Sequence, residues 1–169
     1  MKIDEKQFIE VYREYAPQIY KYCYFRVNSK EDAEDLASKV FMKTWDYLVK
    51  GQDVDNMRAF LYRIAHNSVV DFYKMNSQKK EHEMSIQNFD GETMDIPDEA
   101  NIQASLETKT MVGDIRKSLG LLSDDYQEII TMRYINDLSI AEIAEATGMT
   151  ENNVSVKLHR ATEKLKRII

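Results

Sequence analysis

Apolar positions recur along this chain at helical spacing, and the recurrence stops at a few sharply marked points. In "SKEDAEDLASKVFMKTWDYL", Ala33, Leu36, Ala37, Val40, Phe41, Thr44, Trp45 and Leu48 form one stripe, which predicts a helix with that face buried. Ser29 precedes it as an N-cap, and acids fill its first turn, where they favour the positive end of the helix dipole. The run "NMRAFLYRIAHNSVVDFYK" repeats the period, with Phe60, Leu61, Ile64, Ala65, Ser68, Val69 and Phe72 inward. Arg58, Tyr62, Arg63, His66, Asn67, Asp71 and Lys74 are then left outward. The earlier stretch "QFIEVYREYAPQIYKYCYFRV" is also helical in character, and Pro17 is expected to divide or kink it.

Punctuation is strongest near the C-terminus. Ser139 and Glu142 have the spacing of a capping box, so a helix should begin at Ile140, with Ile143, Ala144 and Thr147 on the same face. Gly148 suits the left-handed position that ends it. Thr150 then caps a second helix, on which Val154, Leu158, Ala161 and Leu165 make one apolar stripe. Two helices joined by a Gly-containing turn, with the small Ala144 where they approach, describe a helix-turn-helix. In that motif the second helix enters the major groove. Its face away from the stripe carries Asn152, Val156, His159, Arg160 and Glu163, flanked by Asn153, Ser155 and Lys157. Asn suits adenine, Arg suits guanine or phosphate, and Val suits a thymine methyl. A helical hairpin with an ordinary solvated face is the plainer reading of the same residues.

The chain has 169 residues, 43% of them apolar, with only two Pro and five Gly. An all-α fold follows, with material for two small helical domains. Residues 79–108 contain Gly91, Pro97 and no sustained apolar period, so they read as an acidic linker between residues 1–78 and 109–169. About 30 residues reach on the order of 100 Å when extended and nearer 30 Å as a flexible coil, so the two units are free to sit well apart.

Charge sharpens this division. Of the net charge of −6, residues 81–110 contribute −7, residues 1–80 contribute +2 and residues 111–169 contribute −1. Residues 154–169 are locally +4, with Lys157, Arg160, Lys164, Lys166 and Arg167 against Glu163. That supports a few phosphate contacts but predicts poor DNA binding by the chain alone.

The basic and aromatic residues interleaved on the outward face of residues 58–74 suit stacking with single-stranded bases, although such faces are usually just solvated. Cys23 is the sole cysteine and reads as a bystander thiol. Without an apolar signal core or a run long enough for a membrane span, a cytoplasmic location and no membrane insertion are expected. There is no Walker-type loop or dinucleotide fingerprint, and His66, His82 and His159 are scattered. No enzyme, catalytic residue, metal or cofactor is therefore assigned. A free-standing helix-turn-helix regulator would normally dimerise on a two-fold site and would need neither the long N-terminal module nor the linker.

Three motifs in register carry a resemblance. "DAEDLASKVFMKTW", then "AFLYRIAHNSVVDFYK", then the acidic linker, then "LLSDDYQEIITMRYINDLSIAEIAEATGMTENNVSVKLHRATEKLK" resemble a bacterial RNA polymerase sigma factor of the extracytoplasmic-function (ECF) type. The resemblance implies a promoter-specificity subunit, with RNA polymerase core enzyme, promoter DNA and an anti-sigma factor as partners, monomeric when free. It makes residues 1–78 region 2 and residues 109–169 region 4. Asp32, Asp35, Leu36, Lys39 and Lys43 would lie on the surface that docks on the polymerase clamp helices. Lys50 and Asp53 in the 49–57 loop, with Arg58, Tyr62, Arg63, Asn67 and Lys74, would capture unpaired bases of the −10 element. Base capture of this kind must offset the unstacking penalty with a pocket. Asn152, Asn153, Ser155, Val156, Lys157, His159 and Arg160 would read the duplex −35 element. The linker's acidity would suit a basic polymerase channel. Ser38-Lys39 where the family usually has Gln-Glu, Ser123 where it has Pro, and Asp137 where Gly is common are departures that we read as differences of specificity.

Overall fold

The computed structural model describes residues 3–27, 29–80 and 105–169, without the side chains of residues 77–80 and 105–110. All regular structure among these residues is helical, as expected: α1 (Glu5–Arg26), α2 (Lys30–Val49), α3 (Met57–Lys80), α4 (Ser105–Gly120), α5 (Asp124–Ile130), α6 (Ile140–Thr147) and α7 (Glu151–Ile168). A short π-helical turn, Thr131–Ile135, follows α5 directly.

Caps set most of these boundaries. Asp4 and Gln7 form a capping box on α1, and Ser29 accepts from the Asp32 N–H at the start of α2. Pro17 does not divide α1, which runs through it as one helix. Proline removes a single donor, and Pro17 and Arg13 are both exposed, so the carbonyl that loses its partner is within reach of water. One turn further on, the buried Ile19, Tyr22 and Cys23 hold the helix to the core.

Helices α1, α2 and α3 pack as one unit around Ile19, Cys23, Ala33, Val40, Leu61, Ala65 and Val69. Ring pairs extend that core, Phe8 against Trp45 and Tyr12 against Phe41, each with centroids 4.9 Å apart. Burial pushes the Cys23 thiol up to about 12, which leaves almost no thiolate for chemistry. Leu36 also belongs to this core, at 4% exposure, and is not available as a docking residue. The period that turns Ala33, Ala37 and Val40 inward takes Leu36 with them. The second unit is built from α5, the π-helical turn, α6 and α7 around Met132, Leu138, Ile143, Val154 and Ala161, with α4 against α7.

Helix α3 runs to Lys80 and α4 begins at Ser105, so helices enter both ends of the stretch read as linker. Residues 81–104, with His82, Gly91, Pro97 and most of the acidic run, lie outside the described residues. The two units do not sit apart. Helix α3 runs against α6, and α1 touches the π-helical turn. Among the described residues, no helix is long and apolar enough to cross a membrane, and no group of three or more His, Cys, Asp or Glu could hold a metal.

Candidate nucleic-acid interface

The helix-turn-helix is assembled by the local signals that the sequence carries. The Ser139 and Glu142 side chains cap each other's backbone N–H at 3.0 Å. Gly148 ends α6 at φ +79°, a left-handed conformation that costs a Cβ-bearing residue strain even where space is open. Two residues later, the Thr150 hydroxyl accepts from the Asn153 N–H and starts α7. Val154 and Ala161 are fully buried, and Leu158 and Leu165 partly so, which fixes the rotation of α7.

That rotation leaves Asn152, Asn153, Ser155, Val156, His159 and Arg160 exposed together on the opposite face. Lys157 is set back from them, half-buried, with its ammonium 3.3 Å from Asp125. Because Asp125 is largely exposed, this pair is worth at most about 1 kcal/mol and yields readily to a phosphate.

On the first unit the candidate residues divide. Helix α2 presents Asp35, Lys39 and Lys43 at successive i, i+4 positions, all exposed, and Met42, at 65% exposure, shares their face. Asp32 lies at the edge of this face, and its carboxyl is pushed upward by partial burial and by the neighbouring Asp35 and Glu31. Lys50, Asp53, Arg63, Asn67 and Lys74 are exposed.

Arg58 and Tyr62 are not outward in this arrangement. Arg58 Nη2 donates to the carbonyls of Asn136 at 2.7 Å and Asp137 at 3.1 Å, and its Nε lies 3.8 Å from the Glu142 carboxylate. Tyr62 is fully buried, its ring edge-on to Tyr22, and its hydroxyl accepts from Asn136 Nδ2 at 2.9 Å. Burial raises its phenol to about 12. Arg58, Tyr62 and His66 follow at i, i+4 and i+8, so the face that the sequence presents as solvated is the seat of the second unit.

The centre of this joint is Glu128, 6% exposed. It accepts from the Tyr22 hydroxyl at 2.6 and 2.7 Å, from Arg26 Nε at 2.6 Å and from His66 Nδ1 at 2.8 Å. Desolvation alone would raise this carboxyl. The hydrogen bond from His66, the Arg26 charge and the Tyr22 hydroxyl outweigh it and hold the group below the usual carboxylate range. One further bond crosses at the rim, from Arg116 to the Val27 carbonyl, and within the first unit Tyr73 donates to the Arg26 carbonyl. Arg116 also stacks 3.9 Å above the Tyr24 ring.

Sequence reasoning does not find Glu128, Arg26 or Asn136. The only local signal is a charged residue inside an apolar run, "QEIITM" for Glu128 and "CYFRV" for Arg26.

Comparison with known proteins agrees with this two-part construction. The Sigma-70 region 2 family matches residues 11–79, and the Sigma-70, region 4 family matches residues 113–165. The RNA polymerase sigma factor YlaC of Bacillus subtilis is 30% identical over 159 residues, covering 94% of this chain and 89% of that protein. The ECF RNA polymerase sigma factor SigW of the same organism is 25% identical, covering 98% and 90%. Among solved structures, the sigma factor RpoE in complex with the anti-sigma factor NepR from Bartonella quintana superposes with a TM-score of 0.77 at 20% identity, over 96% of both chains. Two sigma regions in their usual order and a relative matched almost end to end place the chain in the ECF type of the bacterial RNA polymerase sigma factors.

Proposed function

We propose that this sigma factor binds RNA polymerase core enzyme through the exposed face of α2 and reads a promoter at two places. Helix α7 reads duplex DNA of the −35 element, with Asn152, Asn153, Ser155, Val156, His159 and Arg160 at base edges and Lys157 at a phosphate. The 49–57 loop and α3 hold the melted −10 strand, with Asn67 and Arg63 as the residues already exposed for it. Residues 79–108 serve as the anionic strap between the two grips, and the protein acts in the cytoplasm. The observation that carries this reading is the pairing, in one chain, of an α7 face made of base-reading side chains with an α3 face that has basic and amide groups.

RpoE is seen in complex with the anti-sigma factor NepR, and CnrH in complex with the cytosolic domain of CnrY. An anti-sigma factor is therefore a partner to expect for this chain.

The division of labour is tested by two substitutions in the polymerase-bound protein. Arg160→Ala should weaken binding to upstream duplex about 10- to 100-fold, the usual consequence of losing one specific Arg contact. Asn67→Ala should leave that binding unchanged and reduce open complexes, read by permanganate reactivity of the melted strand. Equal losses at both steps for either variant would overturn the assignment.

A further inference from the structure

We infer that Asp125 is an internal counter-ion that occupies the phosphate grip of α7 and so holds down sequence-independent binding to duplex DNA. This rests on the reading of α7 given above, in which Lys157 meets a phosphate. The pair lies wholly within the second unit. Asp125 is in the first turn of α5 and Lys157 in the second turn of α7, and the Lys157 ammonium donates to Asp125 Oδ2 at 3.3 Å.

The geometry is that of a competitor and not of a structural tie. The Lys157 side chain is 32% exposed, so packing confines the space that its ammonium can reach, whereas Asp125 is 76% exposed and can give way without opening the core. A carboxylate oxygen and a phosphate oxygen offer an ammonium the same charge-assisted bond. A duplex that takes Lys157 must therefore exchange one for the other, and only the difference appears as affinity. The same turn of α5 places the Tyr126 ring 5.9 Å from the Lys164 ammonium, so a second α7 cation is engaged on that flank. Arg160, exposed among the base-facing residues, has no carboxylate partner among the described residues. The damping thus falls on a contact that carries no sequence information and spares a cation that reads bases.

The test is binding of a fluorophore-labelled, random-sequence duplex to the full-length chain, read by anisotropy across a range of salt. Asp125→Asn, an isosteric change at an exposed position, should tighten binding about three- to fivefold at low salt, the scale of one exposed ion pair. The gain should shrink as salt rises. Asp124→Asn removes the same charge one residue away and should gain clearly less, which measures diffuse repulsion of the duplex by this acidic turn. Lys157→Ala should weaken binding and lower the slope of log affinity against log salt by up to about one. In the Lys157→Ala chain, Asp125→Asn should gain no more than Asp124→Asn does. If Lys157→Ala changes neither affinity nor slope, the phosphate role of Lys157 falls and the counter-ion role with it. If Lys157→Ala weakens binding and Asp125→Asn does not tighten it, the counter-ion role alone falls. A gain that Asp124→Asn equals, or that survives in full without Lys157, also overturns it.

Discussion

Val154→Asp is expected to leave the C-terminal unit unfolded and to abolish start-site selection, while α1 to α3 stay helical. Val154 is fully buried, one turn after the Thr150 cap, in the stripe that seats α7. An aspartate there must lose its hydration or push α7 off the core. Burial of an unpaired carboxylate costs several kcal/mol even after relaxation. Whole domains are stable by only about 5–15 kcal/mol, and a unit this small lies at the low end. The check is urea unfolding followed by circular dichroism, with the loss of the C-terminal unit's share of helix in native buffer. Val156→Asp, two residues on and 41% exposed, should keep that helix and lose only duplex affinity. A folded Val154→Asp protein would mean that α7 is rotated from the orientation described.

Leu61→Ala should be nearly as damaging on the other side. Leu61 is fully buried, at 0% exposure, on the helix that both α1 and α2 pack against. Truncating a leucine in such a site typically costs about 2–5 kcal/mol, the spread reflecting how far the cavity collapses. In a three-helix unit this should lower the urea midpoint by a large fraction and reduce core-enzyme binding in step with the folded population. Arg63→Ala, an exposed position two residues away, should change stability by no more than about 0.5 kcal/mol. Similar midpoints for the two variants would contradict the packing of α3.

Much of the fold is legible in the sequence because its signals are local. Ser29, the Ser139 and Glu142 pair, Gly148 and Thr150 act within four residues of themselves, and each sits where its chemistry places it. The stripes on α2 and α7 are equally direct, since a 3.6-residue period reports which face is buried. Pro17 does not divide α1, because the Arg13 carbonyl that loses its partner is within reach of water and the turn that follows is packed into the core. Leu36 shows the converse, since a motif match cannot override the stripe that buries it.

The joint is illegible for a physical reason. Arg58, Tyr62 and His66 have the composition of a wet face, and nothing within α3 says that a second unit will cover it. Glu128 meets Tyr22 from 106 residues away, and such a pair leaves no period to read. The π-helical turn is hidden as well. Its wide register, with the Asn136 N–H bonded to the Thr131 carbonyl at 3.0 Å, turns the chain toward Asp137, at φ +55°, and so delivers two carbonyls to Arg58. The base-facing side of α7 lies between these cases. Its rotation follows from the stripe, whereas the bases it selects depend on a duplex that the chain alone does not specify.

Whether this protein directs a polymerase to promoters is open to direct measurement. Sigma-free bacterial core enzyme, supplied with the purified chain and fragmented genomic DNA, allows transcript 5′ ends to be mapped directly. Starts should concentrate at a limited set of sites that share two short sequence elements at one fixed spacing, and should vanish without the chain. Starts that are unchanged by its addition, or that share no paired elements, would contradict the account.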